Sequence, residues 1–379
     1  MKSVVLAGYA RTPFCFAGKG EFARVRPDDL AAAAVKGLVA RSGVSPEHIE
    51  DLLMGCAFPE GEQGLNVARL VGFLAGLPDT VAGATVNRFC GSSMQAIHMA
   101  AGAIQMGAGE VFICAGVESM SRIPMSGFNP MPNPVLAATM RSAYMSMGET
   151  AENVARKYKI ARKQQELFAV QSHTKAAAAQ KAGLLKDEIV PIATEDGVVE
   201  KDGCIRPDST AEKMSLLKPA FDEKGSVTAA TSSPLTDGAS AVLVASEDYA
   251  RAHNLPILAR IKSIAVAGCA PEIMGIGPVA ASRKALARAG LAIKDIDIVE
   301  LNEAFASQAL ACLWDLEINE SRVNLDGGAI ALGHPLGATG ARITGKAAQL
   351  LKRTGARYAL ATQCIGGGQG IATVLEAVT

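Results

Sequence analysis

The sequence predicts an α/β fold built from two similar halves. Its 379 residues are more than one ordinary hydrophobic core accommodates, and helical and strand patterns alternate along most of the chain. Residues 35–55 and 282–302 repeat one unit: an amphipathic helix ending at Gly43 or Gly290, a short turn, and an apolar strand. Two such copies indicate two α/β halves with buried sheets and argue against a barrel of eight short units.

The elements downstream of the repeat also come in matching sets. In each half a Val-Asn pair precedes a Gly-rich turn, a helix and an apolar strand. In the first half Val86-Asn87 is followed by a helix to about Gly107 and a strand over 110–116. In the second half Val323-Asn324 is followed by a helix to about Lys352 and a strand over 357–362. We therefore expect an N-terminal half over 1–248 and a C-terminal half over 255–379.

An insertion of different character, at about 117–230, interrupts the first half. Prolines at positions 124, 130, 132 and 134 predict an irregular excursion over 120–147, helices are predicted over 150–158 and 163–182, and residues 191–230 are polar and rich in turns. Long loops in compact proteins are usually functional lids or disordered. We expect this segment to cover the site as a lid, with its methionines as a pliable apolar lining.

The composition narrows the functional class. The 37 basic residues balance the 37 acidic ones, so there is no broad attraction for nucleic acid or an anionic membrane, and a small-molecule substrate is favoured. Eight cysteines lie scattered, without CxxC or metal-ligand spacing to the histidines. No apolar run is long enough for a membrane span, and no signal peptide is recognisable. We expect a soluble, cytoplasmic protein with reduced thiols and no bound metal.

Three reactive side chains stand in separate Gly- and Ser-rich stretches. They are Cys90 in Asn87-Arg88-Phe89-Cys90-Gly91-Ser92-Ser93, His334 in Gly333-His334-Pro335, and Cys364 in Cys364-Ile365-Gly366-Gly367-Gly368. Cysteine is already nucleophilic near neutral pH, and glycine lets a substrate carbonyl approach main-chain N–H groups. Two thiols and an imidazole in such settings suit covalent thioester chemistry.

Each of these residues has a functional and a purely structural interpretation. Cys90 should lie in the first turn of a helix, where the dipole would stabilise a thiolate, or it is a buried structural cysteine. His334, near its ordinary pKa of about 6.5, could exchange a proton with a thiol, or it is a hydrogen-bonded turn residue. Cys364 marks either converging N–H groups for an oxyanion or a close-packed strand end. Asn302 could polarise a carbonyl, directly or through water, or cap a helix.

These motifs, in this order, resemble the thiolase family, and the likeness extends over essentially the whole chain. The stretches that carry it are 87–95, 147–155, 218–222, 234–239, 274–278, 302–305, 327–340 and 364–370. The resemblance implies the duplicated thiolase fold, a five-layer α-β-α-β-α sandwich with an inserted lid or loop domain.

The resemblance also implies roles for individual residues. Cys90 would be the nucleophile that carries the acyl group, His334 its activating base, and Cys364 the acid/base at the α-carbon of acetyl-CoA. Asn302 would hold a water that forms one oxyanion hole with His334, and the N–H groups of Cys90 and Gly366 would form the other. Residues expected to contact the pantetheine arm or the acyl group are Met147, Phe221, Ser233, Met274 and Phe305. Lys218 would lie near the CoA phosphates, where many relatives have arginine.

The implied activity is that of a degradative 3-ketoacyl-CoA thiolase of broad chain length, with coenzyme A as a substrate and no cofactor. Relatives dedicated to acetoacetyl-CoA synthesis, the first alternative, commonly have His where this chain has Ser146. A ketoacyl synthase would have His or Asn in place of Cys364. A non-catalytic CoA- or lipid-binding relative would lack a reactive residue, and none is missing. The resemblance further implies a homodimer or a dimer of dimers, and a hydratase/dehydrogenase subunit as a partner.

Overall fold

The structure, a computed structural model, describes residues 2–378. The N-terminal half begins with eight elements, and its central strands β1 and β5 are buried over their whole length, as strands covered on both faces are. The elements are β1 (Val4–Arg11), β2 (Cys15–Phe16), α1 (Pro27–Ser42), β3 (Asp51–Gly55), α2 (Val67–Leu74), β4 (Ala82–Val86), α3 (Ser92–Met106) and β5 (Val111–Ser119).

The inserted segment occupies the chain between β5 and the next long strand. Its elements are α4 (Pro134–Thr139), α5 (Met147–Tyr158), α6 (Arg162–Lys181), β6 (Ile192–Thr194), β7 (Gly197–Val199) and α7 (Ala211–Ser215). The predicted irregularity of 120–147 is wrong near its middle, where Pro134 begins α4 and Asn133 caps it. Proline at the first helical position is favourable because its missing N–H would have no partner there.

The remaining elements complete the first sheet and build the second half. They are β8 (Thr236–Ser246), α8 (Glu247–Ala252), β9 (Ala259–Gly268), α9 (Gly277–Ala289), β10 (Ile298–Leu301), α10 (Ala306–Asp315), α11 (Ala329–Leu332), α12 (Leu336–Thr354), β11 (Tyr358–Ile365) and β12 (Gln369–Glu376). The repeat is visible here, because α1 and α9 both end at a left-handed glycine, Gly43 (φ 71°) and Gly290 (φ 68°).

The strands run in the order β10-β11-β12-β9-β1-β8-β5-β3-β4, with β2 on β8. The two halves meet at β1 and β9, which share only the pairs Val5↔Arg260 and Leu6↔Ala259. Each half thus contributes one sheet of mixed strand direction, and the short β1–β9 contact joins the two at an edge.

Five layers follow from how the helices pack on these sheets. Helices α1 and α2 cover the outer face of the first sheet, α9 covers the second, and α3 and α12 pack against each other between the sheets. Strand β8 shows the alternation: Leu243 packs in the core beneath α1, while Val242 and Val244 pack in the core around α3 and α12. This is the five-layer α-β-α-β-α sandwich expected from the sequence.

The close approach of α3 and α12 determines where the site forms. A Cβ at Gly340 would lie 2.3 Å from the backbone nitrogen of Met94, so only glycine permits this contact. Ser93 Oγ also accepts a hydrogen bond of 2.8 Å from the Ala341 N–H. The N-terminal ends of the two central helices, one from each half, therefore lie side by side. None of the helices within residues 2–378 is long and apolar enough to cross a membrane.

Candidate active site

Cys90 lies in a tight turn between β4 and α3. The turn places Phe89 in the left-handed region at φ 43°, an uncommon conformation for a bulky residue. Side chains hold the turn in place: Ser92 Oγ accepts from the Arg88 N–H at 2.9 Å and donates to the Phe89 carbonyl at 2.6 Å. Cys90 precedes the N-cap residue Gly91. The expectation that Cys90 would lie in the first helical turn is therefore wrong, because α3 begins two residues later, at Ser92.

The Cys90 side chain is 9% exposed and belongs to a small apolar cluster. Its other members are Ala57, Phe58, Met120 and Leu336. Leu336 opens α12, two residues after His334. The cluster therefore joins the cysteine turn of the first half to the histidine turn of the second.

His334 is 4% exposed and is hydrogen-bonded on both sides of its ring. Its Nδ1 lies 2.6 Å from Thr339 Oγ1, and its Nε2 lies 3.3 Å from Asn302 Nδ2. Its main-chain N–H donates to Thr236 Oγ1 at 3.1 Å. Gly333 precedes it at φ 106°, where a Cβ would lie 2.6 Å from the Thr236 side chain. The imidazole is therefore held from three directions.

Cys364 lies near the end of β11, opposite Gly370 on β12, and is 1% exposed. The hairpin turn that follows needs glycine, because Gly367 and Gly368 have φ values of 78° and 85°. The apolar cluster around Cys364 comprises Met147, Ala151, Val227, Met274, Ala304 and Phe305. The second thiol thus has an apolar environment of its own.

The structure brings the two thiols and the imidazole to one place. The main-chain N–H groups of Gly366 and of Cys90 itself lower the pKa of the Cys90 thiol, and a negative charge on Cys90 raises the pKa of Cys364. The side-chain amide of Gln363, the residue before Cys364, donates to the Cys90 carbonyl. Since Leu336 packs with Cys90, the His334 turn adjoins the same sulfur.

Burial controls the protonation of these groups. Desolvation raises the pKa of Cys90 to about 12 despite the two N–H groups that lower it, and it raises the pKa of Cys364 well above the ordinary thiol value. Desolvation, with the positive charge of Arg342, lowers the pKa of His334 to about 3. The expectations of a helix-stabilised thiolate and of an ordinary histidine pKa are wrong, because burial outweighs the helix dipole. All three groups are neutral before substrate binds.

Asn302 follows β10 and is fully buried. Its N–H donates to the Thr362 carbonyl at 3.0 Å, which ties it to β11. Phe305, and not Asn302, is the N-cap residue of α10. Within residues 2–378 the Asn302 Oδ1 has no hydrogen-bond partner, so it is free to accept from a water or a substrate group.

Most of the expected substrate-contacting residues surround Cys364. Met147 and Gly366 are close: a Cβ on Gly366 would lie 3.6 Å from the Met147 sulfur. The rings of Phe221 and Phe305 meet edge to face at 5.9 Å, and Met274 is 2% exposed within the cluster.

The other two expected contacts are Ser233 and Lys218. The Ser233 N–H donates to the Ala304 carbonyl at 2.9 Å, which places Ser233 at the edge of the Cys364 cluster. Lys218 is exposed on the loop that carries Phe221. It therefore lies outside the buried site.

The sequence analysis missed Glu118, a fully buried carboxylate at the end of β5. Its Oε2 accepts from the Ala57 and Gly337 N–H groups at 2.8 and 2.9 Å. Its Oε1 accepts from the Phe58 N–H at 3.2 Å and from Gln63 Nε2 at 2.8 Å. Glu118 therefore connects the loop beside Cys90 to the start of α12. A lone acidic residue inside an otherwise apolar strand was the available signal.

Two hydroxyl residues were missed as well. Thr236 and Thr339 are hydrogen-bonded to His334 and lie 98 and 5 residues from it in the chain. The Thr339 contact could have been suspected, because the side chain lies just over one helical turn after His334. Thr236 gave no comparable sequence signal.

The arrangement brings together two thiols, an imidazole and main-chain N–H groups, and all three side chains are buried. That set can form a thioester, stabilise the oxyanion of the preceding addition, and move a proton at a neighbouring carbon. Among residues 2–378 there is no group of three or more His, Cys, Asp or Glu residues that could hold a metal ion.

Comparison with known proteins gives a consistent result. The N-terminal thiolase domain model matches residues 4–248, and the C-terminal thiolase domain model matches residues 255–377. The chain is 49% identical to a 3-ketoacyl-CoA thiolase of Bacillus subtilis, covering 99% of this chain and 100% of the relative. It is 50% identical to a 3-ketoacyl-CoA thiolase of Pseudoalteromonas translucida, covering 100% of both.

Two solved structures are also similar to this chain over its whole length. The crystal structure of human mitochondrial 3-ketoacyl-CoA thiolase matches with a TM-score of 0.92 at 40% identity, covering 100% of this chain and 99% of that one. Its complex with CoA matches equally well, with a TM-score of 0.92 at 40% identity, covering 100% of this chain and 98% of that one.

Proposed function

This chain belongs to the thiolase family, and from that membership we infer that it is a 3-ketoacyl-CoA thiolase. Such an enzyme transfers an acyl group between an active-site cysteine and coenzyme A and releases acetyl-CoA. One observation of this chain's own geometry supports the inference most: the turns that carry the two buried thiols adjoin, because the Gln363 side-chain amide donates to the Cys90 carbonyl and a Cβ on Gly366 would lie 3.5 Å from the Phe89 ring.

In the first half-reaction His334 takes the proton of Cys90 as the sulfur attacks the 3-keto carbon of the substrate. The bond between carbons two and three then breaks, and its electron pair leaves with the acetyl-CoA fragment as an enolate. Cys364 protonates that carbon, and the proton held by His334 passes to Cys364. Acetyl-CoA departs, Cys90 carries the shortened acyl chain, and both catalytic groups are neutral again.

In the second half-reaction the thiol of free coenzyme A replaces Cys90. His334 takes the proton of CoA, the CoA sulfur attacks the thioester, and Cys90 leaves with the proton that His334 returns. Cys364 has no part in this exchange. Condensation of two acyl-CoA molecules is the same path reversed, and one covalent intermediate shared by two half-reactions predicts ping-pong kinetics.

Two sets of donors would stabilise the negative charges that form on oxygen. The N–H groups of Cys90 and Gly366 both lower the pKa of the Cys90 thiol, so we assign to them the oxyanion of an acyl group attached there. Asn302, through its free Oδ1 and a water, together with His334 Nε2, can serve the enolate oxygen of acetyl-CoA. Such donors act strongly because the site excludes water.

The two apolar clusters suggest how the substrate is divided between them. We assign the acyl chain on Cys90 to the cluster of Ala57, Phe58, Met120 and Leu336, since Phe58 and Met120 are only partly buried. The pantetheine arm would follow the cluster around Cys364, past Met147 and Phe305. The partly open acyl side supports a degradative enzyme of broad chain length.

The test is a comparison of thiolysis rates on acetoacetyl-CoA and on a series of 3-ketoacyl-CoA substrates from eight to sixteen carbons. We expect turnover across the series. Activity confined to the four-carbon substrate would instead assign the chain to acetoacetyl-CoA metabolism.

Coenzyme A enters as a substrate, and we propose no resident cofactor. Self-association into a homodimer or a dimer of dimers is supported by β4, which ends the sheet order, and by the exposed Leu70, Phe73 and Leu74 of the adjacent α2. A cytoplasmic location is supported by the free state of all eight cysteines. A hydratase/dehydrogenase subunit that supplies the 3-ketoacyl-CoA stays a prediction from the family resemblance.

A further inference from the structure

We propose that Thr339 is a positioning residue that holds His334 in the tautomer required for catalysis, with the proton on Nδ1 and the lone pair on Nε2. The inference rests on the proposed function for its catalytic consequence, although the tautomer itself is a property of the resting protein. Thr339 is fully buried, and its Oγ1 lies 2.6 Å from His334 Nδ1.

The direction of this hydrogen bond follows from what else the hydroxyl does. Thr339 Oγ1 also lies 3.3 Å from the carbonyl oxygen of Pro335, four residues earlier in the chain. A carbonyl can only accept, and a hydroxyl has a single proton. The hydroxyl therefore donates to Pro335 and uses a lone pair to accept from the Nδ1–H of His334.

The other side of the ring gives the same answer independently. His334 Nε2 lies 3.3 Å from Asn302 Nδ2, and a side-chain amide nitrogen can only donate. With the amide in this orientation, Nε2 accepts and carries no proton. Two contacts on opposite edges of the imidazole, from different helical and strand ends, thus specify one tautomer.

The tautomer matters because a neutral imidazole has only one basic nitrogen. Burial and the charge of Arg342 lower the pKa of His334 to about 3, so the ring is neutral between turnovers. If Nε2 carried the proton, it could not accept the proton of Cys90, and the lone pair would face the hydroxyl on α12. When the imidazolium forms, Thr339 still accepts from Nδ1–H, so the ring need not rotate during the reaction.

Three variants separate positioning from packing. Thr339→Val keeps the shape and removes the hydroxyl, while Thr339→Ser keeps the hydroxyl. Thr344→Val is a matched control, because Thr344 is a fully buried threonine of the same helix that donates to the Gly340 carbonyl at 2.7 Å.

We expect Thr339→Val to lower kcat by about 100-fold, the scale of a lost general base, with a much smaller change in the KM for CoA. Thr339→Ser should recover most of the rate, and Thr344→Val should retain it.

The decisive readout is the ¹⁵N NMR spectrum of the protein labelled at its five histidines, with the His334 signals assigned by substitution. We expect a protonated Nδ1 in the unmodified protein and a shift towards the Nε2-protonated form in Thr339→Val. A protonated Nε2 in the resting, unmodified protein would overturn the proposal without any variant having to fold. So would full activity and an unchanged tautomer in Thr339→Val.

Failure of the proposed function would look different. In that case the unmodified protein would form no acyl-enzyme at all, while the tautomer and its dependence on the Thr339 hydroxyl would still be measurable.

Discussion

Replacing Cys364 with Ala should separate the two half-reactions. The variant keeps Cys90, His334 and the Gly366 N–H, to which the proposed mechanism assigns the exchange of an acyl chain with CoA. It loses the thiol to which that mechanism assigns protonation of the departing enolate. Cleavage of a 3-ketoacyl-CoA should therefore fall sharply while acyl exchange continues.

The size of the expected effect follows from what a positioned proton donor generally contributes. A positioned proton donor contributes roughly 10²–10⁴-fold, which corresponds to about 3–5 kcal/mol of transition-state free energy. Burial raises the pKa of Cys364, so at neutral pH the thiol is fully protonated and able to donate. Removing one sulfur atom from this site should lower the free energy of unfolding by only about 1–2 kcal/mol. Gly366 is held by the main chain of the β11–β12 hairpin, and its N–H should stay in place.

The assay compares two rates in the same preparation: cleavage of a 3-ketoacyl-CoA, and transfer of label from free CoA into acyl-CoA. We expect cleavage to fall by at least about 100-fold and exchange to be largely retained. Cys114→Ala is the matched control, because Cys114 is a fully buried thiol whose Sγ lies 3.4 Å from the Ala96 carbonyl, in the core around α3 and α12. An equal loss of both rates in the Cys364 variant, or a normal cleavage rate, would refute the division of roles.

Two further predictions concern buried groups. Glu118→Gln would replace one carboxylate oxygen by an NH₂ group that faces two N–H donors and cannot accept from them. At about 1–3 kcal/mol for each donor left without an acceptor, the free energy of unfolding measured in urea should fall by about 2–6 kcal/mol. Unchanged stability would contradict the bridging role of Glu118. Burial lowers the pKa of His98 to about 3, so below about pH 6.5 only the unfolded chain takes up that proton and stability is lost as the pH falls. The unfolding free energy of the unmodified protein, minus that of His98→Gln, should therefore decrease by about 1.4 kcal/mol for each pH unit below about 6.5, and a difference independent of pH would contradict the neutral, buried state of His98.

The sequence predicted well where local signals determine structure. Gly43 and Gly290 ended the repeated helices as expected, because a left-handed C-cap strongly favours glycine. The three reactive residues could be selected because unusual side chains stood among glycines and serines. Their meeting at one place followed from the duplicated fold, and not from any of the stretches alone.

Contacts and pKa shifts that depend on tertiary packing could not be predicted from the sequence. The pKa directions of Cys90 and His334 were wrong because the expected helix dipole and ordinary imidazole value ignored complete burial. Glu118 accepts a hydrogen bond from the N–H of Gly337, which lies 219 residues later in the chain. No local sequence pattern predicts such a contact. Pro134 was expected to interrupt regular structure, yet with Asn133 as a cap it begins a helix.

The most direct test of the central claim is to find the thioester. Brief exposure to an acyl-CoA, an acid quench, digestion and peptide mass spectrometry should place one acyl group on the peptide that contains Cys90, with none on the peptide that contains Cys364. The adduct should vanish in Cys90→Ala while the fold is retained. An acyl group on any other cysteine, or undiminished turnover by Cys90→Ala, would contradict the account.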